Sequence, residues 1–278
     1  MALLPGREKG SKSVLVLLPP SEGKAAGGTG PALDLGALSL PGLTAAREAV
    51  LDELVALCSA DEEKARDVLG LSEGLRGEVA KNAALRQAGT RPAGEVYTGV
   101  LYDALGLATL SAAAAERARR ELLVFSGLWG AVGVADPIPS YRLSGGVKLP
   151  ALGGLGAYWR KPMAEALPQV AEGLVLDLRS AAYGSMWKPA GELAARTATV
   201  RVLQSKIVDG VEKRSVVSHF NKATKGRIVR SLLESGARPG SPEELAEALG
   251  ALGHRVEPTP PARAGRTWQL DVVVTDVH

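Results

Sequence analysis

Three observations predict an α/β protein. Short apolar runs, Val14-Leu15-Val16-Leu17-Leu18, Leu122-Leu123-Val124-Phe125 and Leu174-Val175-Leu176-Asp177-Leu178, have the length and flanks of buried strands. Between them lie segments whose apolar residues recur at helical spacing. A helix rich in alanine and arginine, starting near Ser111, runs straight into the second apolar run, and a helix feeding a strand is the unit from which α/β layers are built.

Taken in order, the first run stops at Pro19-Pro20, since proline has no N–H to continue a ladder. Residues 25–42, rich in Gly, Pro and Ala, read as a loop. From Thr44, Ala46, Val50, Leu51, Leu54, Val55 and Cys58 mark one apolar helix face, and a second helix follows over Glu62–Leu69. Residues 70–94 read as short helices joined at Gly70, Gly74 and Gly77. After Phe125 the chain is dominated by turn formers, among them Gly127, Gly130, Gly133, Asp136-Pro137 and Gly145-Gly146, with Trp129, Tyr141 and Arg142 between them. So long a loop in a compact domain is a functional candidate. Thr199–Ile207 and Val211–Phe220 flank Asp209-Gly210, a strong hairpin signal. Ser241-Pro242-Glu243-Glu244 is a capping box with proline at the first helical position, so a helix is expected over Glu243–Leu249, and Trp268–Val274 forms a late strand. No composition break marks a boundary, so residues 13–278 are expected as one domain behind a flexible tail of residues 1–12.

At 278 residues, 46% hydrophobic and 23% charged, the chain is long enough for a well-buried core. Met1–Lys12 contains no apolar signal core and Val14–Pro20 is too short to span a bilayer, so neither secretion nor a membrane partner is expected. The single cysteine, Cys58, cannot close an internal disulfide and sits on a helix's apolar side. With no paired Cys or His spacing of a zinc site, a cytoplasmic protein without metal or cofactor is expected. The net charge of +3 is uneven: residues 201–230 carry eight Lys or Arg against Asp209 and Glu212, a local +6 that leaves −3 elsewhere. Such a concentration favours nucleic acid or a phosphorylated small molecule.

That charge culminates in Ser218-His219-Phe220-Asn221-Lys222-Ala223-Thr224-Lys225-Gly226-Arg227-Ile228-Val229-Arg230. Asn221 reads as an N-cap, so a helix is expected from near Lys222. The helix dipole opposes lysines in the first turn unless an anion is present. At about 100° per residue, Lys222 and Lys225 share the side of Val229, Leu232 and Leu233, while Arg227 and Arg230 turn away. Inward ammonium groups need a partner, which a phosphate or carboxylate ligand supplies; the alternative is lysines that snorkel to solvent or meet acidic neighbours. The hairpin delivers His219 to this helix as a candidate acid or base.

Pro19-Pro20-Ser21-Glu22-Gly23-Lys24 puts a hydroxyl, a carboxylate and an ammonium at the carboxyl end of a strand, where open α/β sheets bind ligands. It is not a nucleoside triphosphate loop, which would need glycine at Leu18 and a hydroxyl at Ala25. Arg179, Ser180 and Tyr183 follow the third apolar run, with Lys188 beyond, and Arg142 adds a fork-shaped donor; for each, a solvated loop residue is the plain alternative. Trp159, beside Arg160 and Lys161, is either a stacking surface or core. The candidate catalytic residues are therefore Ser21, Glu22, Lys24, Tyr183 and His219. Candidate anion contacts are Lys24, Arg142, Arg179, Ser180, Lys188, Lys222, Lys225 and Arg227. Two readings follow: a protein that grips DNA phosphates, duplex or branched, or an enzyme acting on a nucleotide or another phosphorylated or carboxylated small molecule.

Leu17–Lys24, Val96-Tyr97-Thr98-Gly99, Phe125–Gly130 through Asp136, Tyr141-Arg142-Leu143, Tyr158-Trp159, Ser180–Tyr183, Lys188-Pro189 and Lys222–Arg227 together resemble the YaaA peroxide stress protein family. The resemblance implies a single-domain cantaloupe fold, a mixed sheet surrounded by helices with a basic cleft across one face. It also implies a cytoplasmic bacterial protein that limits free iron under peroxide stress and binds DNA. A helix-hairpin-helix element is implied at Val68–Gly77, with Gly70 and Gly74 letting backbone N–H groups approach a phosphate.

Overall fold

The three apolar runs come together as the middle of one sheet in the structure, a computed structural model. It describes residues 13–209, 211–216 and 219–275, with backbone alone at 208, 219 and 220; the expected tail of residues 1–12 and Gly210 of the hairpin turn lie outside the described residues. The sheet contains β1 (Val14–Leu18), β2 (Leu122–Ser126), β3 (Gly130–Gly133), β4 (Leu174–Asp177), β5 (Thr197–Val208), β6 (Val211–Val216), β7 (Arg255–Thr259) and β8 (Trp268–Val274). Its order is β7-β8-β5-β4-β1-β2-β3, with β6 paired to β5. β1 is parallel to β2 and β4, β5 is parallel to β4 and β8, and β3, β6 and β7 are antiparallel to their partners. All five residues of β1 are buried, because it is central and covered on both faces.

The helices of six or more residues are α1 (Thr44–Ala60), α2 (Glu62–Leu69), α3 (Gly77–Ala83), α4 (Val100–Leu105), α5 (Ala112–Glu121), α6 (Arg160–Ala166), α7 (His219–Ser235) and α8 (Pro242–Ala251). Ser111 caps α5 and Ser241 caps α8 through their hydroxyls, as their sequences predict. Val208 faces Val211 in the β5–β6 register, which fixes the two-residue turn, and Asp209 has φ 54, the left-handed conformation such turns require.

One element departs from expectation, and another was not foreseen. β6 ends at Val216, short of Phe220, so the chain from His219 joins α7 and Asn221 lies inside the first turn rather than at the cap. β7 is a strand although Pro258 lies within it. It is an edge strand that pairs only with β8, so the missing proline N–H leaves no central ladder broken.

This topology positions a site. From β1 the chain passes to β2 on one side and later returns to β4 on the other, so the loops leaving β1 and β4 diverge from a switch point. Crevices at such points are where open sheets hold ligands.

Candidate functional site

At the carboxyl ends of β1 and β4 lies a cavity of about 710 Å³. It is lined by residues 19–23 after β1, residues 98–102 at the start of α4, residues 178–181 with Tyr183 after β4, and Asn221, Lys222 and Lys225 of α7. Segments far apart in sequence thus bring Ser21, Glu22, Arg179, Ser180, Tyr183, Lys222 and Lys225 to one place.

The loop after β1 is shaped by its own hydroxyl and ammonium groups. Ser21 Oγ donates to Gly23 O at 2.5 Å and accepts from Thr98 N at 3.0 Å, so this hydroxyl is already engaged on both sides. Lys24 forms a bridge with Tyr97, and its Nζ donates to Ser21 O at 2.9 Å while lying 4.5 Å from the Tyr141 ring centre and 5.7 Å from that of Tyr97. Burial pulls the Lys24 ammonium down to about 8; the Glu22 charge opposes this and Arg142 adds to it. Arg142 donates to Glu22 O at 2.8 Å and pairs with the Glu22 carboxylate at 3.2 Å. Its backbone is clasped by Asn82, whose amide donates to Arg142 O at 2.8 Å and accepts from Arg142 N at 2.9 Å. Lys24 and Arg142 therefore brace the cavity's wall, and neither is among the residues lining it.

After β4, Arg179 lines the cavity while its guanidinium is engaged by neighbouring protein groups. Its guanidinium takes both oxygens of Asp177 at 2.8 and 2.6 Å, donates to Tyr183 O and Trp187 O, and lies 4.3 Å from the Phe125 ring centre. Tyr183 is buried, its phenol accepting from Gly145 N at 3.1 Å, and burial pushes its pKa up. It closes one wall as a neutral phenol.

Helix α7 supplies the cations. Lys225 is half-buried, and its Nζ donates to Leu178 O at 3.3 Å. Burial lowers its pKa, against the pull of Asp177. Lys222 is exposed and lines the cavity's mouth, one turn before Lys225 on the same helix. Neither lysine belongs to an ion pair among the described residues. Asn221 Oδ1 is buried in the same wall with no hydrogen-bond partner among the described residues. Gly226 brings α7 against α4: a Cβ there would stand 2.2 Å from Leu101 O. Arg230 caps the end of α4, donating to Leu105 O and Gly106 O at 3.1 and 3.0 Å.

The family model for the peroxide stress protein YaaA matches residues 14–259. The chain belongs to that family. A UPF0246 protein of Streptomyces coelicolor is 70% identical over 266 residues, covering 95% of this chain and 100% of the relative. A UPF0246 protein of Corynebacterium efficiens is 44% identical across 94% of this chain and 100% of its own length, and one of Idiomarina loihiensis is 27% identical across 75% and 84%. The matched span takes in the whole wall of the cavity, from Pro19 to Lys225.

Other candidates in this YaaA-family chain lie elsewhere. Lys188 and Arg227 are exposed and outside the cavity lining; Arg227 sits on the helix face opposite the packed residues. His219 opens α7, but its side chain lies outside the described residues. Gly70, with φ 64, ends α2, and Gly74 lies in a short 3-10 turn before α3, so two helices do flank the Val68–Gly77 stretch. Its surroundings are acidic: Glu62, Glu63 and Glu73 converge on Arg76, and Glu63 and Glu73 on Arg66. Trp159 is fully buried and donates to Gly127 O at 2.8 Å, which makes it core. Among the described residues, no helix is long and apolar enough to cross a membrane, and no three His, Cys, Asp or Glu are grouped to hold a metal.

Residue-by-residue reading missed Asn82, Thr98 and Tyr102. Thr98 had a signal, since it lies in one of the resembling blocks. Asn82 had none, because its partner is the backbone of Arg142.

Proposed function

We propose that this YaaA-family protein serves peroxide protection in the cytoplasm by binding DNA, with backbone phosphates held at the mouth of the cavity, and so limits iron-dependent damage. The observation that carries this reading is the placement of Lys222 and Lys225 on successive turns of α7, facing a cavity and free of carboxylate partners among the described residues. Lys222 lies in the first turn of a helix of 17 residues, where backbone amides add to the positive potential, and Lys225 lies one turn further on. Phosphate contacts of this kind give affinity with little sequence preference and make binding fall steeply with salt. The family's name supports the peroxide setting. In the test, a fluorescent 20-base-pair duplex is titrated at 50 and 200 mM salt against the wild type and Lys222→Ala/Lys225→Ala. The double variant is expected to bind more weakly, with a log–log salt slope shallower by about 2. Unchanged affinity, or wild-type binding insensitive to salt, would refute the proposal.

A second reading is favoured by the cavity itself. Its volume of about 710 Å³ is that of a small-molecule site, and apolar Pro19, Pro20, Val100 and Leu101 share its lining with Ser21, Glu22, Ser180 and Lys225. That combination suits an enzyme acting on a nucleotide or a carboxylated metabolite. Ser21 is poorly placed as a nucleophile, its hydroxyl being engaged on both sides. A thermal-shift screen separates the readings: a ligand at 100 times its Kd adds about 2.7 kcal/mol of stability. Clear duplex binding without a shift from any nucleotide removes the enzyme reading.

A further inference from the structure

Strand β5 outruns its neighbours. It meets β4 only over residues 197–199, whereas β6 pairs with its far end at residues 203–208. Both use the same edge of β5, because β8 occupies the other edge over residues 198–204. The two-stranded ribbon therefore projects past the carboxyl end of β4, the end at which the cavity lies.

The two faces of this ribbon differ in charge balance. On one, Arg214 meets Glu212 and Glu257 at 3.0 and 2.6 Å, and Arg255 meets the same two carboxylates at 2.9 and 3.3 Å, a closed network. On the other, Lys206 stands directly opposite Lys213. Both are exposed, and neither side chain takes part in a hydrogen bond or ion pair among the described residues. Like charges directly opposite one another destabilise a strand pair, and among the described residues neither lysine has a carboxylate partner to offset this. Val211, 60% exposed, lies on the lysine face near the tip, and Ile207 and Val216 on the other face are 71% and 64% exposed.

We propose that the β5–β6 ribbon is a second DNA contact, laid in the major groove of a duplex with Lys206 and Lys213 against the flanking phosphates. This inference rests on the DNA-binding reading above. Four of the six paired residues of β5, 205–208, extend beyond β8 and give a free ribbon about 13 Å long, and the major groove, about 12 Å wide, admits a two-stranded ribbon. β6 leads within a few residues into α7, so the ribbon and the cavity lysines belong to one continuous segment and reach the same duplex. The free edge of β6 would otherwise suit a second copy of the chain.

Three proteins test this: wild type, Lys206→Thr/Lys213→Thr and Lys222→Ala/Lys225→Ala. Threonine keeps strand propensity and removes the repulsion, so the ribbon variant should be folded and no less stable by urea unfolding. Each is titrated with the 20-base-pair duplex between 50 and 200 mM salt, with mass in solution followed by sedimentation. Loss of two phosphate contacts should shrink the salt-induced drop in affinity by roughly tenfold over this range. If the ribbon variant keeps wild-type affinity and slope while the cavity variant loses both, the ribbon inference is overturned and the cavity reading stands. The reverse pattern overturns the cavity reading and supports the ribbon. A wild type that binds no duplex at 50 mM salt sinks both, and a dimer that the ribbon variant converts to monomer without any change in duplex binding replaces DNA by a second copy.

Discussion

Lys24 is held where a cation is costly. Its Nζ has two carbonyl oxygens and two aromatic faces, but no ion pair among the described residues, and burial brings it to about 8. The folded-state value lies below that of the unfolded chain, so between pH 8 and 10.5 the unfolded chain holds the extra proton and stability rises with pH; below 8 the full penalty applies. Lys24→Met should remove that rise, a difference on the order of 2–3 kcal/mol. Urea unfolding of both proteins at pH 7, 9 and 10 checks it: parallel pH profiles would show that Lys24 does not titrate in this window. That Ser21, Glu22, Tyr183 and Lys225 line one cavity was legible in the sequence, because each follows a strand or lies early in a helix. The Arg179–Asp177 pair went unread, although Asp177 two residues earlier, on the same side of an extended segment, is a legible signal for it. The bracing role of Lys24 was hidden, since it depends on Tyr141 in a loop on another element.

At the scale of elements, the seat of the lysine helix is the contact of α7 with α4. Gly226 permits it, and Gly226→Ala would drive a methyl to within 2.2 Å of Leu101 O. Relief requires the helices to part, which costs roughly 1–3 kcal/mol and draws Lys225 away from Leu178 O. The urea midpoint should fall with an unchanged slope, and duplex affinity should fall with it. An unaltered midpoint would mean that this contact yields without cost. Strands of continuous apolar residues and the Asp209-Gly210 hairpin were readable because local pattern and tertiary role agree. The start of α7 was not, since it depends on where β6 stops, and β7 was obscured by Pro258, which only its edge position makes harmless.

The α/β class was legible, whereas strand order was not: pairing partners of β1 lie in distant parts of the chain, and nothing local selects them. One sheet joins residues 14 to 274, so we expect residues 13–278 to unfold as a single cooperative unit. Trp129, Trp159 and Trp187 are buried and report tertiary structure, while far-ultraviolet circular dichroism reports helices and strands. Their urea transitions should coincide; separated midpoints would divide the chain into independent parts.

The central place of β1 also bears on how the protein is made. Val16 pairs with Leu122 and Val14 with Leu174. This strand must await partners synthesised 106 and 160 residues later. At about 5–20 residues per second, the second wait is roughly 8–32 s. Until then the Val-Leu-Val-Leu-Leu strand lacks at least one of its two neighbours, and we expect the nascent segment to suit a chaperone that recognises short greasy peptides.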